Sequence, residues 1–149
     1  MIRVQAEDFS LAHEYSLLNK DKSDGAVVTF VGKVRDFNAG NEVTQLTLEH
    51  YPGMTEAVLN HIEAQARSRW SLNLVSMKHR VGTLDLGDQI VFIGVTSQHR
   101  KAAFDACEFL IDFLKTQAPF WKVETNGHAR HWVEAKVSDD LAVSQWDKD

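Results

Sequence analysis

Two strand-like segments separated by a short connection constrain the fold of this 149-residue chain more than any other feature. Residues 74–81 and 89–96 both read as strands, the second of them rich in β-branched residues, and the turn Asp85-Leu86-Gly87-Asp88 lies between them. A connection this short cannot contain a crossover helix, so the two strands are expected to pair antiparallel. The pattern therefore predicts an α+β fold with a mostly antiparallel sheet rather than a doubly wound parallel sheet.

The rest of the chain alternates between strand and helix signals in one continuous domain. Strands are predicted over residues 2–6, 26–35, 43–50, 121–125 and 131–136, with a loop over 36–41. Helices are predicted over 8–19, 55–70 and 98–117. Ser97 is expected to cap the third helix, and Pro119 is expected to stop it. Residues 1–138 are interpreted as the domain and 139–149 as a loose polar tail.

Charge and cysteine content exclude several classes of protein. The net charge of −5 gives no global electrostatic support for a nucleic-acid partner, so any anion must be held by a local cluster of cations. Cys107 is the only cysteine and cannot form an internal disulfide. The N-terminus lacks a signal-peptide pattern, and no run approaches 18 apolar residues. We expect a cytoplasmic protein with no membrane span.

Local groups of cations are the main functional signal. Lys33 and Arg35 end a predicted strand, just before a loop rich in Asn and Gly. His99, Arg100 and Lys101 lie in the first turn of a predicted helix, where the helix dipole disfavours positive charge. Free backbone N–H groups at a helix start also bind anions, so the cations of the second group are explained if a phosphate or carboxylate binds there. The simpler alternative for each group is a set of solvated surface charges.

Two lysines enclose the segment LKTQAPFWK and raise the same choice. Lys115 lies in the last helical turn, three residues after Asp112, which by itself predicts an ordinary helix-end ion pair. Lys122 follows Phe120 and Trp121 at the start of a strand, so aromatic bulk should position its stem. Spacing alone leaves open whether these lysines hold an anion.

Cysteine and histidine give little support for other chemistry. Cys107 lies on the apolar stripe of its helix and is expected to be a buried small hydrophobe. His128 and His131 are three residues apart without a third ligand, a poor pattern for a metal. We expect this chain to need neither a metal nor a cofactor.

Four segments together resemble the large, catalytic subunit of molybdopterin synthase. They are GAVVTFVGKVRDFNAG, LTLEHYPGMTE, HRVGTLDLGDQIVFIGVTSQHR and FDACEFLIDFLKTQAPFWKVE, and the resemblance covers residues 2–138. It implies an α/β-hammerhead fold and a homodimer of large subunits. Each large subunit would bind a small ubiquitin-like sulfur carrier, which gives a heterotetramer. The resemblance further implies that the carrier's C-terminal Gly-Gly thiocarboxylate delivers two sulfurs to cyclic pyranopterin monophosphate, called precursor Z. The product is the dithiolene of molybdopterin.

The same resemblance assigns roles to individual residues. It implies that Lys115 is the catalytic lysine beside the carrier's last glycine and that Lys122 is a second catalytic lysine. Members of the family often have a basic residue where this chain has Val123, so only its backbone would contact the substrate here. The substrate-binding residues implied are Lys33, Val34, Arg35, His99, Arg100, Lys115, Lys122, Val123, Glu124 and, across the dimer, Arg130.

On the chemistry that the resemblance implies, we hypothesise a separate role for each of these cations. Lys115 would pair with the thiocarboxylate and stabilise charge as sulfur attacks. Arg35, His99 and Arg100 would hold the phosphate together with the helix N-terminus. Lys122 would assist proton transfer or position the pterin.

Two other classes of function remain open. A module that only docks a ubiquitin-like tail would explain Lys115 and Lys122, but not the cations at Lys33, Arg35 and the third helix. A phosphoester-binding enzyme that uses Lys115 as a Schiff-base nucleophile is the other possibility.

Overall fold

The computed structural model describes residues 1–38, 41–42, 44–126, 129–132 and 137–147. The strands are β1 (Ile2–Gln5), β2 (Ala26–Lys33), β3 (Phe37–Asn38), β4 (Asn41–Glu42), β5 (Gln45–His50), β6 (Val75–Arg80), β7 (Gly82–Asp85), β8 (Gln89–Ser97), β9 (Phe120–Asn126) and β10 (Ala129–Trp132). The helices are α1 (Leu11–Leu18), α2 (Met54–Arg69), α3 (Arg100–Gln117) and α4 (Val137–Ser144), and a 3₁₀ turn spans Gln145–Asp147.

Two four-stranded sheets form the frame of the molecule. The first has the strand order β1-β6-β8-β2, in which only β1 and β6 run parallel. The second has the order β10-β9-β5-β7, and all its pairs are antiparallel. Strands β3 and β4 pair with each other inside the segment predicted as a loop. The predicted α+β class with mostly antiparallel sheets is confirmed.

The connection between β6 and β8 contains a strand, β7, that the sequence pattern did not predict. The two strands do pair antiparallel, with His79 opposite Val91. Between them, β7 leaves the first sheet and pairs with β5 in the second. Gly82 and Gly87 flank this excursion with positive φ angles of 93° and 84°, which glycine adopts at no steric cost. The segment therefore joins the two sheets instead of forming a simple hairpin.

Helices cover both faces of the first sheet. The larger core lies between this sheet and the pair α2 and α3, where Ile62, Ile93 and Leu110 are fully buried. On the other face, α1 packs Leu18 against Phe92. A third, smaller cluster belongs to the second sheet and contains Val34, Leu46, Leu48 and Leu84. Within the part of the chain that is described, no helix is long and apolar enough to cross a membrane.

Helix α3 begins two residues later than predicted. His99 is its N-cap residue, whereas Ser97 belongs to β8 and donates its hydroxyl to the Ser71 carbonyl at 2.9 Å. The prediction that Ser97 caps the helix was therefore wrong, because tertiary contacts use its hydroxyl elsewhere. The helix ends at Gln117, before Pro119, as predicted.

The C-terminal segment is structured, unlike the loose tail that its polar composition suggested. Helix α4 crosses the expected boundary at residue 138 and packs against α3. The Trp146 ring makes edge-to-face contacts with Trp70 and Phe109, at 5.6 and 5.5 Å between centroids. Its indole N–H donates to the Asp112 carboxylate at 2.8 Å. Trp146 therefore makes the main aromatic contact between this segment and the core, and Val143 of α4 packs against the same core.

We expect Trp146→Ala to lower the free energy of unfolding by about 2 kcal/mol, since it removes a half-buried aromatic and leaves space between two helices. Urea denaturation of the full chain measures this. Leu141→Ala is the matched control, because Leu141 is 66% exposed on α4 and should change stability by less than about 0.5 kcal/mol. Equal effects of the two substitutions would contradict the anchoring role of Trp146.

Candidate functional site

Helix α3 places the predicted cations at its two ends. Arg100 is its first residue, and Lys115 lies in its last turn. Fifteen residues of helix separate them, so their backbones are about 22 Å apart. One chain therefore carries two separate groups of cations, one at each end of this helix.

Strand β2 likewise separates Lys33 and Arg35 from the cations at the start of α3. Ala26 pairs with Ser97, next to the start of α3, whereas Lys33 pairs with Gln89 at the far end of β8. Seven residue steps along a strand span about 24 Å. Within one chain, Arg35 and Arg100 are therefore too far apart to contact the same phosphate. The sequence-based hypothesis that both hold the phosphate did not specify a single chain, and it stays a prediction.

Val34 fixes the segment that carries Lys33 and Arg35. Its N–H donates to the Asp88 carbonyl at 2.9 Å, and its own carbonyl accepts from the Gly87 N–H at 2.8 Å. The Val34 side chain is 5% exposed and packs in the small cluster of the second sheet. Lys33 and Arg35 on either side of it are exposed. A buried valine thus holds two solvent-accessible cations in place.

The inner face of β9 carries the second lysine. Phe120, Lys122 and Glu124 alternate along this strand and share one face. Lys122 lies opposite Leu48, and Glu124 lies opposite Leu46. Because both leucines are buried beside Val34, Lys122 lies next to the segment of residues 33–35. The structure thus brings Lys122 and that segment to the same end of the molecule.

A buried threonine fixes the turn between α3 and β9. The Thr55 hydroxyl donates to the Pro119 carbonyl at 3.2 Å and accepts from the Tyr51 N–H at 3.1 Å. Thr55 has no exposed surface. This contact joins the start of α2 to the turn that carries the chain from Lys115 to Lys122, so it sets where β9 begins.

Lys115 is available to a ligand. Its ammonium lies 3.9 Å from the Asp139 carboxylate of α4, and its side chain is 44% exposed. The predicted pair with Asp112 is not the one formed, because the Asp112 carboxylate accepts from Trp146 and Gln145. An exposed pair of this length contributes little stability, so an anionic ligand could replace Asp139.

The other predicted residues have different surroundings. Lys101 pairs with Asp105 one helical turn away, at 3.0 Å, which accounts for its charge. Val123 is half-buried on the outer face of β9 and Glu124 is 5% exposed on the inner face. Arg130 lies in β10 opposite Thr125, but its side chain is outside the part of the structure that is described.

His79 is a site residue that the sequence did not single out. It is 3% exposed, and its ring stacks on Phe120 with 3.8 Å between centroids and 17° between planes. Its Nδ1 lies 2.8 Å from the Arg80 carbonyl oxygen. Burial, with a contribution from the charges of Lys122 and His50, lowers the pKa of His79 to about 4. A neutral imidazole therefore lies beneath the strand that carries Lys122.

His50 completes this group. It lies opposite Phe120 on β5, and its Nε2 is 3.5 Å from the Glu56 carboxylate. One signal could have indicated these neighbours: His79 continues the alternation of Val75 and Met77, so it had to face the core. Its proximity to Lys122 depends on how the two sheets pack, which no local pattern encodes.

Cys107 is buried on α3, while the predicted histidine pair falls outside the description: residue His128 and the side chain of His131 lie outside the part of the structure that is described. Burial raises the pKa of the Cys107 thiol to about 12, and the nearby Glu108 charge adds to this shift. A thiol of this kind is not a nucleophile at neutral pH. Among the described residues, no group of three or more His, Cys, Asp or Glu side chains could hold a metal ion.

We expect acid to destabilise the protein through His79. Below pH 6.5 the unfolded chain binds a proton on this residue, while the folded chain resists protonation until about pH 4. The free energy of unfolding should therefore decrease as the pH is lowered from 6.5 to about 4, by about 3 kcal/mol in total. Urea denaturation at a series of pH values should show a weaker dependence for His79→Phe than for the wild type. The same substitution at exposed His61 should keep the wild-type dependence, and identical curves for all three proteins would contradict the assignment.

Comparisons with known proteins show the family to which this chain belongs. The family model described as "MoaE protein" matches residues 4–117. The chain is 59% identical to the molybdopterin synthase catalytic subunit of Yersinia pestis over 145 residues, 97% of this chain and 96% of the relative. The solved molybdopterin biosynthesis MoaE protein from Burkholderia ambifaria covers the whole chain, and 99% of its own length is matched, with 44% identity and a TM-score of 0.84.

A more distant solved chain has the same fold. It belongs to a protein–protein complex of subunits 1 and 2 of molybdopterin-converting factor from Helicobacter pylori, with 20% identity and a TM-score of 0.75 over 91% of each chain. The family model covers residues 4–117, and the match to the Yersinia pestis relative covers nearly the full length of both chains. This chain therefore belongs to the MoaE family, whose curated relatives are molybdopterin synthase catalytic subunits.

Proposed function

We propose that this enzyme transfers two sulfurs in successive rounds, each from the C-terminal thiocarboxylate of a small ubiquitin-like carrier, to cyclic pyranopterin monophosphate, forming the dithiolene of molybdopterin. One observation carries the proposal: on a chain whose net charge is −5, Lys122 lies opposite Leu48, which is buried in one cluster with Val34 between the exposed Lys33 and Arg35. Lys115 lies in the last turn of α3, five residues before the start of β9, the strand that carries Lys122. Both reactants are anions, and this local group of cations is what an acidic protein needs to bind them.

Lys115 is the residue we assign to the carrier tail. Its weak pair with Asp139 can be exchanged for a thiocarboxylate, which has the same charge and a similar shape. An ammonium held there stabilises the charge on the carbonyl group as the sulfur attacks the pterin. A Schiff-base role is less well supported, because such lysines are activated in desolvated pockets and the Lys115 side chain is 44% exposed.

Lys122 and its neighbours are assigned to the pterin. The Lys122 ammonium emerges between buried leucines on the inner face of β9, a position that suits contact with a planar ring or transfer of a proton. Lys33 and Arg35 supply exposed cations nearby, and the backbone of Val34 is fixed between them. Glu124 and the backbone of Val123 continue the same wall of the site.

His99 and Arg100 require a second copy of the chain. They lie about 22 Å from Lys115 along α3, too far to share its ligand within one chain. An isologous dimer that places the start of α3 of one copy at the lysine end of the other would form two identical composite sites. Arg130 would act across the same dimer. With one carrier on each copy, the assembly is a heterotetramer, which we place in the cytoplasm.

The first test is reconstitution of the reaction. Purified chain, thiocarboxylated carrier and precursor Z should yield dithiolene product, and Lys115→Ala should reduce the rate by about 100-fold or more, as loss of one preorganised charge does. Lys101→Ala is the matched control, because Lys101 is an exposed lysine of the same helix already paired with Asp105. Cys107→Ala should keep the wild-type rate if no sulfur passes through this thiol.

The outcomes separate the alternatives. A near-normal rate for Lys115→Ala would reduce this lysine to a helix-end ion pair with Asp139. No product from the wild-type chain, with carrier still bound, would favour a module that only docks the tail.

A mixing experiment tests the composite site. Lys115→Ala and Arg100→Ala chains, each inactive alone, should recover about a quarter of the wild-type rate when coexpressed, since half of the dimers are mixed and each mixed dimer has one intact site. If each site belonged to one chain, every site would carry a substitution and no rate would be recovered.

A further inference from the structure

The surroundings of His79 go beyond those of an ordinary buried histidine. Val75, Met77 and His79 share one face of β6, and only His79, near the end of the strand, is titratable. There the ring meets Phe120, which precedes Lys122 by two residues and shares its face of β9. The imidazole therefore lies under the part of the strand that carries the lysine.

The tautomer of His79 follows from its backbone contact. The Arg80 carbonyl oxygen can only accept a hydrogen bond, so the Nδ1 atom at 2.8 Å must carry the proton. In a neutral imidazole, the Nε2 atom is then an acceptor with a free lone pair. Nε2 is the ring nitrogen farther from the backbone of β6, on a ring that stacks against Phe120 of the second sheet.

Lys122 and His50 are the two charged or titratable groups that act on His79. His50 already faces the Glu56 carboxylate at 3.5 Å. Burial keeps the His79 imidazole uncharged at neutral pH, so it does not repel an ammonium group. The stack on Phe120 and the bond to Arg80 leave the ring little freedom to turn away.

We propose that His79 is a positioning residue for Lys122: its Nε2 accepts a hydrogen bond from the Lys122 ammonium and holds that group towards the bound pterin. This inference rests on the role of Lys122 in the proposed function. It assigns His79 no contact with the substrate. The ring acts by restricting a flexible four-carbon side chain to one direction, which lowers the entropic cost of the productive geometry.

The first arm of the test is kinetic and uses the reconstituted complex with its carrier. His79→Phe keeps a flat ring for the stack on Phe120 but removes the acceptor. We expect kcat to fall ten- to a hundredfold, as for loss of a hydrogen bond to a charged group. The KM for precursor Z should change less than about threefold, and the carrier should bind as before. His79→Gln, which keeps an acceptor at a similar reach, should recover most of the rate, and His61→Phe should have no effect.

The second arm observes Lys122 directly in the full chain without substrate. In protein labelled with ¹⁵N-lysine, an ammonium held by a hydrogen bond exchanges its protons slowly and gives its own signal, which Lys122→Arg identifies by removing it. We expect His79→Phe to shift or abolish this signal, and His61→Phe to leave it in place. This measurement needs no reaction, so it tests the inference even if the wild-type chain forms no dithiolene. Absence of dithiolene from the wild-type chain would count against the proposed function, not against the contact between His79 and Lys122.

Two results would overturn the inference. One is a folded His79→Phe protein with the wild-type kcat. The other is an equal loss of rate in His79→Phe and His79→Gln with an unchanged Lys122 signal, which would make His79 a packing residue only.

Discussion

The packing of α3 across the first sheet is the contact on which the functional arrangement depends. Its apolar stripe, including Ala106, Leu110 and Leu114, is buried against β8 and β2. This burial is the main source of stability for so long a helix, because propensity alone would not hold it. Once the helix is fixed, its length separates the cations at its start from the lysine at its end. A site that uses both groups then has to be built from two chains.

The join between the two sheets is the second determinant of the site. Two contacts hold the start of β9 in place, just before Lys122. The Thr55 hydroxyl donates to the Pro119 carbonyl, and Phe120 stacks on His79. Together they set the height and direction in which β9 enters the second sheet. The position of Lys122 is thus determined by residues of α2 and β6, which are distant in sequence. A change at Thr55 or His79 can therefore alter the site without touching a ligand.

Much of the fold could be predicted because local patterns and tertiary packing agree. The β-branched run of β2 and the long stripe of α3 were placed within about two residues. The C-terminal segment was expected to be loose, because its polar composition hides Trp146, whose contribution depends on contacts with Trp70 and Phe109. Strand β7 was missed for a similar reason. Its four residues pair with a distant strand, and a short turn signal does not reveal such a partner.

The sequence by itself determined which chemistry is available. It supplied lysines and arginines in local groups on an acidic chain, one buried cysteine, and a proline that ends α3, since these follow from composition and backbone sterics. Only the tertiary structure decided which of these groups can act together. Lys122 lies on the strand whose partner Leu48 packs with Val34, and Lys115 pairs with Asp139 rather than Asp112. Arg100 lies at the opposite end of α3 from Lys115. The physical reason is that side-chain proximity between elements depends on sheet pairing and helix length, which are fixed by burial over the whole chain.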